Sequence, residues 1–145
     1  NSGNNFINKI LTLAKENKEL KIVNDQIATP TSSDYISKIT SKLIDYMEKN
    51  DKNIKYGIYH VTSRGSCSWH DYAKFIIEVA LKNGHNLKVN LDRIYAIPSV
   101  NFKSNASRPK NSVLSTKKIE SLLSIEVPRW ENDVITTIEK IIKNK

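Results

Sequence analysis

The chain has 145 residues, 39% apolar and 26% charged, enough for one self-standing core. No apolar run approaches the roughly 18 residues that a bilayer span needs. A single cysteine, Cys67, excludes an internal disulfide, so the cytosol is the expected compartment.

The formal net charge of +8 raises nucleic-acid binding as a function class. The charge is carried mostly by lysines set singly along helix faces, such as Lys9, Lys15 and Lys18 or Lys38, Lys42 and Lys49. The arginines Arg64, Arg93, Arg108 and Arg129 are scattered, and none belongs to a basic cluster with exposed aromatics. No nucleic-acid partner is therefore expected. His60, His70 and His85 have no zinc spacing, so no metal site is expected either.

Residues 5–17 read as an amphipathic helix with Phe6, Ile7, Ile10, Leu11, Leu13 and Ala14 on one face and Asn5 as its cap. "LKIV" (20–23) is a short strand, and "NDQIATPT" (24–31) is irregular, with Pro30 disfavouring helix at Thr29. A second helix spans about 33–49, capped by Ser33 or Ser32 and buried through Ile36, Ile39, Leu43, Ile44 and Met47. "GIYHV" (57–61) reads as a compact apolar strand, followed by a turn at Gly65. Ser68 caps a third helix, 69–82, with Trp69, Tyr72, Ala73, Ile76 and Ala80 inward, and Asn83-Gly84 ends it.

"LKVNLDRIYAI" (87–97) holds one or two strands, stopped by Pro98. Residues 99–112 form a long connection without apolar periodicity, the kind of loop that often carries function. A short helix, 116–123, should follow with Ser115 as cap. A last helix, about 129–143, is buried through Trp130, Val134, Ile138 and Ile141. The order implies an α/β fold with one sheet.

The chemistry absent from the chain is informative. There is no phosphate-cradling G-x-G-x-x-G or G-x-x-x-x-G-K loop and no G-x-S-x-G elbow. No Tyr is followed four residues later by Lys. No catalytic constellation is visible, so no catalytic residue is expected here. Some polar groups do stand where they can converge. Asn4 and Asn5 open the first helix, whose N-terminus favours anions. Gln26 and Thr31 follow a strand, and Arg108 and Asn111 lie in the long loop. A planar guanidinium beside the rigid Pro109 suits bidentate recognition of phosphate or carboxylate.

Three stretches occur in order: "NNFINKILTLAKENKELKIVNDQIATPTSSDYISKI", "GIYHVTSRGSCSWHDYAKFI" and "ASRPKNSVLSTKKI". Together they resemble the C-terminal half of the dTDP-4-dehydrorhamnose reductases, in the extended short-chain dehydrogenase/reductase superfamily. That family's patterns are roughly D-Q-x-G-x-P-T, G-x-Y-H-x-x-x-x-G-x-x-S-W-x-x-F-A and R-P-x-N-S-x-L-D. This chain departs from them at Ala28, which replaces the first pattern's Gly, at Tyr72 for Phe, and at Ser115 for the final Asp. Ala28 should therefore adopt negative φ.

The resemblance implies the substrate-binding lobe of an extended Rossmann-type fold, plus the strand and helices that complete the Rossmann sheet. "GIYHV" would be the returning strand. The N-terminal dinucleotide-binding part, with its catalytic Tyr and Lys, would be absent, and about 33–82 would pack on it. The opening "NSGNNF", without an initiator methionine, points the same way. The family reduces dTDP-4-dehydro-6-deoxy-L-mannose to dTDP-L-rhamnose with NADPH or NADH, and some members use Mg2+. By resemblance, Arg108 reaches the substrate pyrophosphate, Asn111 supports it, Asn5 faces the same anion, and Gln26 and Thr31 line the nucleoside or sugar pocket. Related nucleotide-sugar reductases or epimerases, or a non-catalytic relative, share this pattern. An unfinished sheet edge would favour a homodimer or strand swap.

Overall fold

The computed structural model describes residues 5–50, 56–102 and 107–143, with side chains up to 141. In chain order the elements are helix α1 (Phe6–Glu16), strands β1 (Leu20–Val23) and β2 (Ile27–Ala28), helix α2 (Ser33–Lys49) and strand β3 (Cys67–Ser68). Then come α3 (Trp69–Lys82), β4 (Ile94–Ile97), α4 (Lys117–Leu123) and α5 (Trp130–Lys143), with short 3-10 turns at Leu91–Arg93 and Ser99–Asn101.

The caps explain where the helices begin. The Asn5 side chain accepts from the Asn8 amide at 2.9 Å and starts α1. Ser32 does the same for Tyr35 at α2. At α3 a reciprocal box forms: Ser68 Oγ accepts from the Asp71 amide, and the Asp71 carboxylate reaches back to Ser68. That bonding by Ser68 holds the Asp71 carboxyl below its usual range against the opposing effect of burial. Gly84, at φ +79°, ends α3 in the left-handed region.

The expected single sheet is instead two pairs. β1 and β4 run parallel, with Leu20 opposite Ile94 and Val23 opposite Ile97. A parallel pair needs a long crossover, and α3 lies in it and packs on both strands. β2 and β3 form a short antiparallel pair, Ile27 opposite Ser68 and Ala28 opposite Cys67, inside the stretch expected to be irregular. Ala28 accordingly sits in extended backbone, since Ser124 is the one non-glycine with positive φ among the described residues.

The main core gathers α1, α3, α5 and the parallel pair. Ile7, Ile10, Leu11 and Ala14 of α1 meet Ala73, Ile76, Ile77 and Ala80 of α3, and Val134 and Ile138 of α5 close the third side. α3 is buried on more than one face because it is the central helix. Each isoleucine buried there contributes about 1.5–3 kcal/mol of transfer free energy. A second cluster joins Tyr35 and Ile39 of α2 to Ile119 and Val127.

Three further expectations are corrected. "GIYHV" pairs with no strand among the described residues. Ile58 is 77% exposed, and its carbonyl accepts from Lys118 Nζ instead. An apolar run becomes a strand only where a neighbouring edge is present. In α2, Ile39 is buried, but Ile36 and Ile44 are exposed, because α4 covers only one side of the helix. Finally, α4 is capped at Thr116, not Ser115; Thr116 makes no capping bond and its hydroxyl binds the Glu120 carboxylate. In 87–97 one strand forms, and the Lys88 and Val89 amides donate to Ala14 O.

Candidate functional site

The long connection is held at both ends. At its start, Ser99 donates its amide (2.8 Å) and hydroxyl (2.9 Å) to the two oxygens of Asp25. At its end, the Ile27 amide donates to Lys110 O at 2.8 Å, and the Ser112 amide and hydroxyl donate to Ile27 O. The two attachment points are the residues on either side of Gln26. Burial works to raise the Asp25 carboxyl, but the two Ser99 bonds and the Lys110 charge outweigh it and hold the group below its usual range.

Gln26 is half-buried, and its side chain makes no hydrogen bond among the described residues. Asn111 is fixed locally: its Oδ1 accepts from the Val113 amide at 2.9 Å, which leaves Nδ2 able to donate outward. Arg108 is exposed. Arg64 pairs with Glu126 (3.2 Å) and Arg129 with Glu131 (2.6 Å), whereas Arg108, like Arg93, has no carboxylate partner among the described residues. A guanidinium left without an internal anion, on a loop anchored two residues further on, is a donor fork open to an external one.

Thr31 is tied into the framework. Its hydroxyl donates to Thr29 O (3.2 Å) and accepts from the Ser63 amide (3.1 Å), which leaves one lone pair. Asn5 is reached through packing rather than hydrogen bonds. Ser68, opposite Ile27, precedes Trp69, whose ring lies 4.7 Å from that of Phe6, the residue after Asn5. The structure puts Gln26 and Asn111 next to Ile27 of β2, with Arg108 three residues before Asn111 in the same loop. Thr31 is tied to Ser63, and Asn5 stands on the β3 side of β2, beyond Trp69 and Phe6. Asn4 lies outside the described residues.

Trp69 packs against Phe6 and Tyr72, and so serves as an anchor for this end of the fold. Cys67 is buried, and burial and then the nearby carboxylates of Asp71 and Glu131 push its thiol up to about 12, away from the thiolate form. The turn behind it needs glycine: Gly65 has φ +91°, and a Cβ there would meet Trp130 at 3.1 Å. Reading the sequence missed Asp25, Ser63 and Asp133 as the groups that hold this region. Only Asp25 left a signal, as the first residue of the D-Q pattern.

No helix among the described residues is long and apolar enough to cross a membrane. The RmlD substrate binding domain family matches residues 1–142. The dTDP-4-dehydrorhamnose reductase of Escherichia coli is 36% identical over 142 residues, covering 93% of this chain and 46% of that protein. A crystal structure of the dTDP-4-dehydrorhamnose reductase ortholog from Clostridium acetobutylicum matches with TM-score 0.79 at 33% identity, over 97% of this chain and 45% of that one. The Bacillus anthracis reductase, solved in complex with NADP, matches with TM-score 0.68 at 30% identity, over 100% of this chain and 45% of that one. The chain spans about half the length of these relatives. With an α/β fold and a family match over nearly its whole length, the chain belongs to the RmlD substrate binding domain family.

Proposed function

We propose that this chain is the nucleotide-sugar-binding part of a dTDP-4-dehydrorhamnose reductase, an enzyme that reduces dTDP-4-dehydro-L-rhamnose to dTDP-L-rhamnose with NADPH or NADH. The observation that carries the reading is Arg108, which has no carboxylate partner among the described residues and stands on a loop fastened on both sides of Gln26. In this reading Arg108 grips the pyrophosphate by two parallel N–H···O bonds, and Asn111 Nδ2 adds a third donor. Asn5 sets the N-terminus of α1, whose first-turn amides favour the same anion. Gln26 and Thr31 face the nucleoside or sugar. Binding at these remote groups positions the keto carbon for hydride transfer.

The dinucleotide does not fit the described residues. β1 and β4 run into Asn24 and Pro98, not into a glycine turn that opens a helix. Among those residues there is also no group of three or more His, Cys, Asp or Glu that could hold Mg2+. Residues of about 33–82 are the part that would pack on a dinucleotide-binding lobe. The support is the exposure of the apolar side chains Ile36, Ile44, Tyr56 and Ile58 in this stretch, and a pocket of about 210 Å³ whose lining includes Leu43, Tyr46, Met47, Tyr56 and Leu122.

The test is a paired assay on the 145-residue chain. It should bind dTDP in a saturable manner and give no NADPH oxidation with the keto-sugar. Turnover by this chain, or no dTDP binding, would contradict the reading.

A further inference from the structure

Asp133 lies in the first turn of α5, far in sequence from the loops it joins. Its Oδ1 accepts from Ser32 Oγ (2.8 Å), and its Oδ2 accepts from the Ser32 amide (2.8 Å) and Ser63 Oγ (3.0 Å). Those partners are 101 and 70 residues away. Ser63 is 3% exposed, so its hydroxyl depends on a protein acceptor. A carboxylate suits three converging donors because it has only acceptors to offer.

The network does not stop at the two serines. The Ser63 amide donates to Thr31 Oγ1 at 3.1 Å, and Thr31 Oγ1 donates to Thr29 O. Ser32, the residue after Thr31, is held by the same carboxylate while its own Oγ caps Tyr35. Asp133 therefore holds Ser63, whose amide donates to the Thr31 hydroxyl, and Ser32, the residue that follows Thr31 in the chain. Two of the three Thr31 hydroxyl positions are committed, and the direction of the remaining lone pair is set.

We propose that Asp133 is a positioning residue for the nucleotide-sugar site. Through Ser63 and Ser32 it fixes the Thr31 hydroxyl so that its last lone pair accepts from a hydroxyl or amide hydrogen of the ligand. The inference rests on the site described under the proposed function. It predicts that a carboxylate touching no ligand controls affinity through one threonine.

A double-mutant cycle on the intact protein tests it, with dTDP-L-rhamnose as the titrant and calorimetry as the readout. Asp133→Ala and Thr31→Val should each weaken binding roughly fivefold, the worth of about one hydrogen bond. The double variant should also lose only about fivefold, because both changes remove the same contact. Asp133→Asn, which can still accept from the Ser32 amide and Ser63, should recover most of the affinity. Ser63→Ala removes one of the two links from Asp133 while keeping the carboxylate and the residue-63 amide; it should weaken binding about twofold, less than Thr31→Val, and it carries the test if Asp133→Ala does not fold.

Losses that multiply to about 25-fold in the double variant would mean two independent effects and would overturn the proposal. Unchanged binding in both Asp133→Ala and Ser63→Ala would do the same. Arg108→Ala separates the two levels of failure. If it weakens binding while the Asp133 and Ser63 variants do not, the site stands and the positioning role falls. If Arg108→Ala and Thr31→Val both leave binding unchanged, the site reading falls and the positioning role falls with it.

Discussion

Replacing Arg108 by alanine should weaken dTDP binding about 10- to 100-fold, the range expected for losing charge-assisted hydrogen bonds to a phosphate. The fold should be untouched, because Arg108 is exposed and has no ion pair among the described residues. A surface change of this kind stays within about 0.5 kcal/mol of wild-type stability. Arg108→Lys should recover only part of the loss, since an ammonium keeps the charge but not the planar fork. Calorimetric titration of the three proteins with dTDP is the measurement. Equal affinity in the wild type and the alanine variant would remove Arg108 from the site. The loop's own anchors sharpen this expectation. Ile27 holds residues 110 and 112, and Asp25 holds residue 99, so truncating the guanidinium leaves the backbone path in place.

The largest effect on stability should come from Trp130→Ala. Trp130 is 6% exposed and meets Phe75 edge-on at 5.1 Å and Tyr72 at 5.9 Å. Its amide donates to Arg64 O, and its ring covers the Gly65 turn. It therefore joins α5 to α3 and to the 62–66 loop in one residue. Truncation should cost about 3–5 kcal/mol. That is a large share of the roughly 5–15 kcal/mol that holds a domain of this size. A melt followed by circular dichroism should show the midpoint fall by roughly 10–20 °C. Val100→Ala, at a position 87% exposed, should leave it unchanged. A drop of only about 2 °C for Trp130→Ala would show that the aromatic cluster is not central to the core.

The helices were largely legible in the sequence, for local reasons. Asn5 and Ser68 cap the helices they were expected to cap, and the 3.6-residue stripe of α1 contains its buried residues; in α3 it holds Tyr72, Ala73, Ile76 and Ala80, while Ile77 and Val79 are buried as well because the helix is central. Both signals lie within a few residues of the structure they create. The strands were harder to read. "GIYHV" has the composition of a buried strand, but pairing depends on a partner edge that composition does not encode. "IA", in the middle of a polar stretch, became a strand because Cys67–Ser68 returns beside it. Exposure in α2 failed for a similar reason, since its apolar stripe is wider than the surface α4 covers.

For the site, the sequence singled out Arg108, Asn111 and Gln26 but not what sets their geometry. The Asp25–Ser99 bonds span 74 residues, and the Asp133 bonds span 70 and 101. No periodicity or spacing rule reaches that far along a chain. Thr31 illustrates the gain. As a residue of a pattern it was a candidate contact; in the structure its hydroxyl has two bonded partners, Thr29 O and the Ser63 amide, and one lone pair left.

The central claim is that the edge of β2 and the 107–112 loop recognise a nucleoside diphosphate through its phosphates. Titrating the protein with dTDP and, separately, with thymidine tests this most directly. The account predicts saturable one-to-one binding of dTDP that weakens at least about tenfold when the diphosphate is removed. Equal affinity for the two ligands, or no binding of dTDP, would contradict it.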